Sequence, residues 1–230
     1  MYQEQNIFTG KSVSQEALKS FLTRVFGWMG AGLLVTALTA HWVIANIGII
    51  NPMLFFGAVI AELFLVYRIS RYVMNMNLNT ATGMFVFYSA LNGFTLSGLA
   101  FIYTSESLAS TFISAAGLFG VMAFYGAVTK KDLSSWGSFL FMGLIGIVLS
   151  TIVNIFIGSG TFQMAISAIG VLVFTGLTAY DVQSILNTYE YGDQESDAGG
   201  KKAILGALKL YLDFINLFIM LLRLFGDRRN

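Results

Sequence analysis

The sequence predicts an all-α membrane protein with seven transmembrane helices. Two observations carry that prediction. Of 230 residues, 56% are hydrophobic and only 11% charged, roughly half the charged share of a soluble domain. Apolar windows long enough to cross about 30 Å of hydrocarbon also recur along the whole chain, with only short connections between them.

The opening twenty residues are polar and carry Glu4, Lys11, Glu16 and Lys19, which fits neither a cleaved secretory signal nor a transit peptide. Residues 1–24 therefore read as a cytoplasmic N-terminal segment, and the first apolar helix, 25–45, as an uncleaved signal. His41 and Trp42 lie late in this span, where interfacial anchoring is the ordinary role, as it is for Trp28 and Trp136. The second span, 52–68, opens at Asn51-Pro52, the chain's only proline and a pairing that suits a helix N-terminus. The third, 81–103, contains Gly93-x-x-x-Ser97, small residues that let helices approach closely in lipid. Spans at 108–129, 136–157 and 162–186 follow, and 203–225 is the seventh. Residues 25–225 thus form one transmembrane domain and 226–230 a short tail.

Lys and Arg set the orientation. With the N-terminus inside, Lys11, Lys19, Arg24, Arg68, Arg71, Lys130, Lys131, Lys201 and Lys202 are all cytoplasmic, while the loops 46–51, 104–107 and 158–161 carry no basic residue. Seven crossings put Arg223, Arg228 and Arg229 outside, against the rule, whereas a re-entrant last segment keeps them in. Seven spans are preferred.

Several function classes lose support. The basic residues sit in short runs between apolar segments, not on a polar face, so nucleic acid is not an expected partner. Without cysteine there is no disulfide, thiolate metal site or thiol nucleophile. No phosphate-binding loop, zinc-protease or serine-hydrolase motif occurs, so the chain is not expected to be an enzyme or to hold a cofactor. The segment Glu190–Lys201 is rich in acids, but its glycine falls one place late for a calcium loop and position twelve lacks a Glu, so it reads as a solvated linker.

Chemistry is left to three acids in or beside apolar segments: Glu62, Asp181 and Asp213. An Asp at the centre of a spanning helix costs roughly 2.5–3.5 kcal/mol on insertion scales, so it is kept only where a partner, an ion or water meets it. Lys209, Asp213, Asn216, Met220 and Arg223 follow one another at steps of four, three, four and three, a single helical face expected to point into a protein bundle. Asp181 runs inward late in the sixth span and Asp213 outward in the seventh, so both can sit at similar depth in the cytoplasmic half. Two carboxylates there cannot both ionise cheaply; they share a proton near neutral pH, and the pair either senses pH or, once deprotonated, holds a divalent cation. The plainer alternative is that Lys209 pairs with Asp213 four residues on, and that Asp181 caps a helix end. Glu62 has no base at three or four residues' distance and needs an interhelical or water partner.

Three segments together resemble the transmembrane Bax inhibitor motif family, bacterial branch. They are Ala179-Tyr180-Asp181-Val182-Gln183, the stretch Leu210-Tyr211-Leu212-Asp213-Phe214-Ile215-Asn216-Leu217-Phe218-Ile219 with Leu221-Leu222-Arg223 after it, and Lys130-Lys131-Asp132-Leu133-Ser134. The resemblance implies six helices around a central seventh, calcium leak across an inner membrane, and a pH-sensing pair at Asp181 and Asp213 that also forms a weak, transient calcium site. It implies an arginine latch on that pair from the second helix, at Arg68 or Arg71. Bacterial relatives are also linked to control of a membrane protease and to stress protection, so a regulatory membrane protein that conducts no ions is the alternative. A proton-coupled transporter is a third possibility, with no solute named by the sequence. Expected partners are the lipid bilayer, calcium as permeant ion and, for the regulatory alternative, a membrane protease.

Overall fold

The computed structural model describes residues 15–46, 48, 51–190, 193 and 196–229. Helix α1 spans Gln15–Ala45 and α2 Pro52–Tyr72, which runs on into a 3-10 turn, Val73–Asn75. Next come α3, Leu78–Leu96, the single turn α4, Leu99–Ile102, and α5, Ser105–Val128. Helices α6 (Ser134–Ile157), α7 (Gly160–Asn187) and α8 (Asp197–Phe225) complete the chain. Seven segments, with α3 and α4 counted as one, are long and apolar enough to cross a membrane. The expected seven spans are therefore present, and no strand occurs among the described residues.

Helices outrun the apolar windows at their N-termini: α1 starts at Gln15, inside the segment expected to precede it, and α8 at Asp197 instead of residue 203. Hydropathy registers only the hydrocarbon-facing part, while polar first turns form because side chains satisfy their free N–H groups. Asn51 Oδ1 accepts from Met53 N at 2.8 Å and Asn77 Oδ1 from Thr80 N at 2.8 Å. Thr104, Ser159 and Ser196 cap α5, α7 and α8 in the same manner.

Helix α8 is the axis of the bundle. Of its most apolar window 72% is buried, against 17% for those of α2 and α6, so α8 is the helix the others cover. It packs directly on α7, α1, α5 and α3, while α2 lies against α3 and α6 against α7. The six surrounding helices thus form an inner four and an outer two. Phe64, Phe139 and Phe156 on the outer pair are exposed, as lipid-facing side chains are, whereas Leu210, Tyr211, Leu217 and Leu222 of α8 are fully enclosed. Two glycines set the closest approaches: a Cβ at Gly126 on α5 would strike the carbonyl of Ala179 on α7, and one at Gly93 on α3 the carbonyl of Thr36 on α1.

Cross-links sort the loops between the two ends of the bundle. The Phe21 and Tyr189 rings meet at 4.8 Å, Lys201 Nζ donates to Met74 O at 3.4 Å, and Gln183 Nε2 to Lys131 O at 2.8 Å. The basic segments near residues 24, 71, 130 and 201 therefore gather at one end. At the other end Thr104 N donates to Asp227 O at 3.1 Å, Arg229 N to Ile102 O at 2.9 Å, and Asp227 N to Ser107 Oγ at 2.8 Å. Helix α8 is continuous over 29 residues and its tail is sewn to the α4–α5 corner, so the last segment traverses the bundle and does not re-enter.

Candidate functional site

Asp213 sits near the middle of α8 and is 5% exposed; Asp181 sits six residues before the end of α7. The structure brings the two carboxyl groups close enough to interact with each other. Asp213 Oδ2 is buried with no hydrogen-bond partner among the described residues. Ionised carboxylates only accept, so a hydrogen bond between these two groups requires a proton on one of them. Lys209 Nζ stands 3.7 Å from Asp181 Oδ1, and the three side chains form one compact cluster between α7 and α8.

Consecutive residues of α7 hold Asp181 in register. Ala179 presents its backbone to Gly126, the Tyr180 ring covers Gly137 on α6, and Val182 is fully buried. The Gln183 amide clamps the connection between α5 and α6, donating to Lys131 O and accepting from Leu133 N at 2.8 Å. Two separate segments of the family resemblance, 130–134 and 179–183, thus meet in space. Within that connection Asp132 Oδ1 accepts from Ser134 N at 2.9 Å, and hydrogen bonding from Ser134 holds this exposed carboxyl below the usual aspartate range. On α8, Gly206 admits Ile185, and Met220 packs into Gly170, which locks the α7–α8 seam on both sides of the acid pair.

Three readings of the sequence meet a different arrangement. Lys209, the partner of Asp213 in the plainer alternative, forms its salt bridge with Asp181 across the seam. The polar stripe of α8 does not point wholly inward. Between residues 205 and 223 the partly exposed positions of α8 are Leu205, Lys209, Leu212, Asn216, Ile219 and Arg223, one face at 3–4 spacing, and only Asp213 and Met220 of the stripe are buried. That face falls where the inner four helices leave α8 uncovered. Asn216 is satisfied within α8, donating from Nδ2 to Leu212 O at 2.8 Å. The arginine latch is not made either. Arg68 stacks on the Tyr72 ring at 5.0 Å, Arg71 is exposed, and neither forms a salt bridge with Asp181 or Asp213. Helix α2 packs mainly against α3, and Lys209 supplies the cation paired with Asp181.

A cavity of about 220 Å³ near the basic end is lined by Met74, Ile185, Thr188, Lys202, Leu205, Gly206 and Lys209, so Lys209 faces both this cavity and Asp181. Part of the segment expected to be a solvated linker is instead buried and bonded. Asp193 is buried and accepts from Glu190 N at 2.7 Å and from Lys202 Nζ at 2.8 Å.

Glu62 finds the interhelical partners its sequence context demanded, and they open onto a network that sequence reasoning missed. Thr95 Oγ1 donates to Glu62 Oε1 at 2.8 Å and Asn92 Nδ2 to Oε2 at 3.5 Å. Asn92 Oδ1 accepts from the Tyr211 hydroxyl at 3.1 Å, and that hydroxyl meets Thr36 Oγ1 at 2.6 Å. The chain of bonds ties α2, α3, α8 and α1 together through the fully buried Tyr211, two residues from Asp213. The one signal in the sequence was a Glu without a nearby base. His41 is exposed near the end of α1, as an interfacial residue is.

The family model described as "Inhibitor of apoptosis-promoting Bax1" matches residues 18–230. The inner membrane protein YbhL of Escherichia coli strain K12 is 48% identical over 219 residues, covering 92% of this chain and 93% of YbhL. A protein of Borreliella burgdorferi is 44% identical over 215 residues, 91% of this chain and 93% of that one. The protein RP147 of Rickettsia prowazekii is 40% identical over 219 residues, 94% of this chain and 92% of its own. Matched over nearly its whole length by that model and by these relatives, and built as seven long apolar helices, the chain belongs to the Bax inhibitor-like family of membrane proteins.

Proposed function

We propose that this protein is a pH-sensitive calcium leak channel of the inner membrane, gated by the Asp181–Asp213 pair. The observation that carries the proposal is a buried carboxyl pair whose Asp181 is salt-bridged to Lys209, a residue that also lines a cavity near the basic end of the bundle. The inner-membrane reading is supported by YbhL, which is named for that membrane, and the gathered Lys and Arg residues favour a cytoplasmic mouth for the cavity.

In the closed form the ionised pair draws the Lys209 ammonium across the inner end of the cavity. Protonation neutralises the anion, weakens the bridge and frees the path, so acid opens the channel. The unpartnered oxygen of Asp213 is a ready acceptor for that proton or for a passing cation. Calcium takes six to eight oxygens, so two carboxylates give it a partial shell that water and carbonyls complete, a site suited to transit rather than storage.

The experiment is calcium entry into liposomes that hold the purified protein, followed with a trapped fluorescent indicator. Leak above protein-free liposomes that increases on acidification is expected. Entry no faster than in protein-free liposomes at any pH would sink the channel and favour a regulatory membrane protein.

A further inference from the structure

A second cavity, of about 500 Å³, lies at the opposite end of the bundle between α1, the α4–α5 corner and α8. Its volume falls within the range of about 300–1,000 Å³ typical of small-molecule sites. Leu33, Ala37, Leu108, Phe112, Ile215 and Phe218 make its walls apolar, and the exposure of Phe112 and of Ile44 beside it leaves it open sideways toward the membrane. Its two buried polar side chains are already committed, Thr36 to Tyr211 and the Ser89 carbonyl, and Ser97 to the Phe94 carbonyl.

The rim carries His41 from α1 and Arg229 from the tail. The Arg229 backbone is anchored at the rim, its N donating to Ile102 O, and the tail next to it is pinned by Asp227 N on Ser107 Oγ. Neither Asp227 nor Glu106, the acids closest in sequence, lines the cavity. Apolar walls suit calcium poorly, and the Arg229 guanidinium at the rim repels it. An apolar slot with one fixed cation and an imidazole hydrogen-bond partner at its rim suits the opposite chemistry, one hydrocarbon chain with an anionic head.

The geometry points to a site for an anionic phospholipid, one acyl chain lying in the cavity and its phosphate between His41 and Arg229. The site is separate from the Asp181–Asp213 cluster and stands whether or not the protein conducts calcium. Charge complementarity singles out the occupant, since a zwitterionic lipid brings its own cation to the rim.

The test is native mass spectrometry of the purified, delipidated full chain after addition of phosphatidylglycerol, phosphatidylcholine or oleate. One phosphatidylglycerol is expected to remain bound with about tenfold preference over phosphatidylcholine, and Arg229→Gln with His41→Gln is expected to abolish that preference. Ala109→Trp on α5 and Ala37→Phe on α1 each fill the cavity from an exposed wall position and are expected to lose the bound lipid. Equal retention of both phospholipids, retention undiminished in both filled variants, or oleate bound in place of the phospholipid would overturn the assignment. Two filling variants on different helices keep the test decisive if one of them fails to fold.

Discussion

Replacing Lys209 by Met keeps the stem and removes the charge, which isolates the bridge on which gating is proposed to rest. Unit charges 3.7 Å apart, the distance from Lys209 Nζ to Asp181 Oδ1, attract by roughly 4–5 kcal/mol at an effective dielectric near 20 and by about 1 kcal/mol in bulk water. The lysine side chain is 41% exposed and the aspartate 14%, so solvent screening pulls the value toward the lower figure, about 1–2 kcal/mol. In the proposed gate that energy would hold the mouth shut while Asp181 is ionised; it would be present at higher pH and lost as acid protonates the pair. Without the lysine the leak at neutral pH should rise roughly 5–30-fold, the factor that about 1–2 kcal/mol represents, and the further increase on acidification should shrink accordingly. The assay is initial calcium flux into liposomes with matched amounts of native and Lys209→Met protein across neutral and mildly acidic buffers. A variant with the native rate and the native pH dependence would refute the bridge as a gate.

Other consequences follow from the packing. Tyr211→Phe leaves Asn92 and Thr36 without their shared partner and should lower thermal stability in detergent by about 1–2 kcal/mol, with little change in helix content by circular dichroism. Gly126→Leu drives a side chain into the Ala179 carbonyl and should cost about 1–3 kcal/mol or more of stability, seen as an earlier melting transition. Gln183→Ala frees the clamp on residues 131 and 133, so cleavage after Lys130 and Lys131 by a lysine-specific protease should be faster than in the native protein. Asp132, held low by hydrogen bonding from Ser134, should titrate below a model-peptide aspartate by NMR. Its local contribution is present above the unfolded titration range and is lost as pH falls through the folded value.

The spans were legible because hydrocarbon thickness imposes a window length on every crossing segment. Asn51-Pro52 even marked the start of α2 correctly, and the helix ends that ran past the windows did so at Asn77, Thr104 and Ser196, polar caps that hydropathy passes over. Asp181 and Asp213 were legible because an acid in an apolar span demands a partner, and chain direction put both at one depth. What the sequence left open depends on helix rotation. Lys209 is one turn from Asp213 in sequence, yet the angle at which α8 meets α7 delivers its ammonium to Asp181. Nor does periodicity tell which face of α8 the inner helices leave uncovered, so a stripe expected to be buried lies half open. The Glu62–Asn92–Tyr211–Thr36 network joins residues from four helices whose types are common in any membrane span, and only Glu62 stood out on its own.

The most direct measurement of the central claim is the pH dependence of calcium leak through the purified protein with Asp181→Asn and Asp213→Asn introduced together. A neutral pair has no anion to hold Lys209 and no site to titrate, so the leak should be nearly independent of pH over the range in which the native protein is switched on by acid. A double variant that still accelerates on acidification by the native factor would contradict the account.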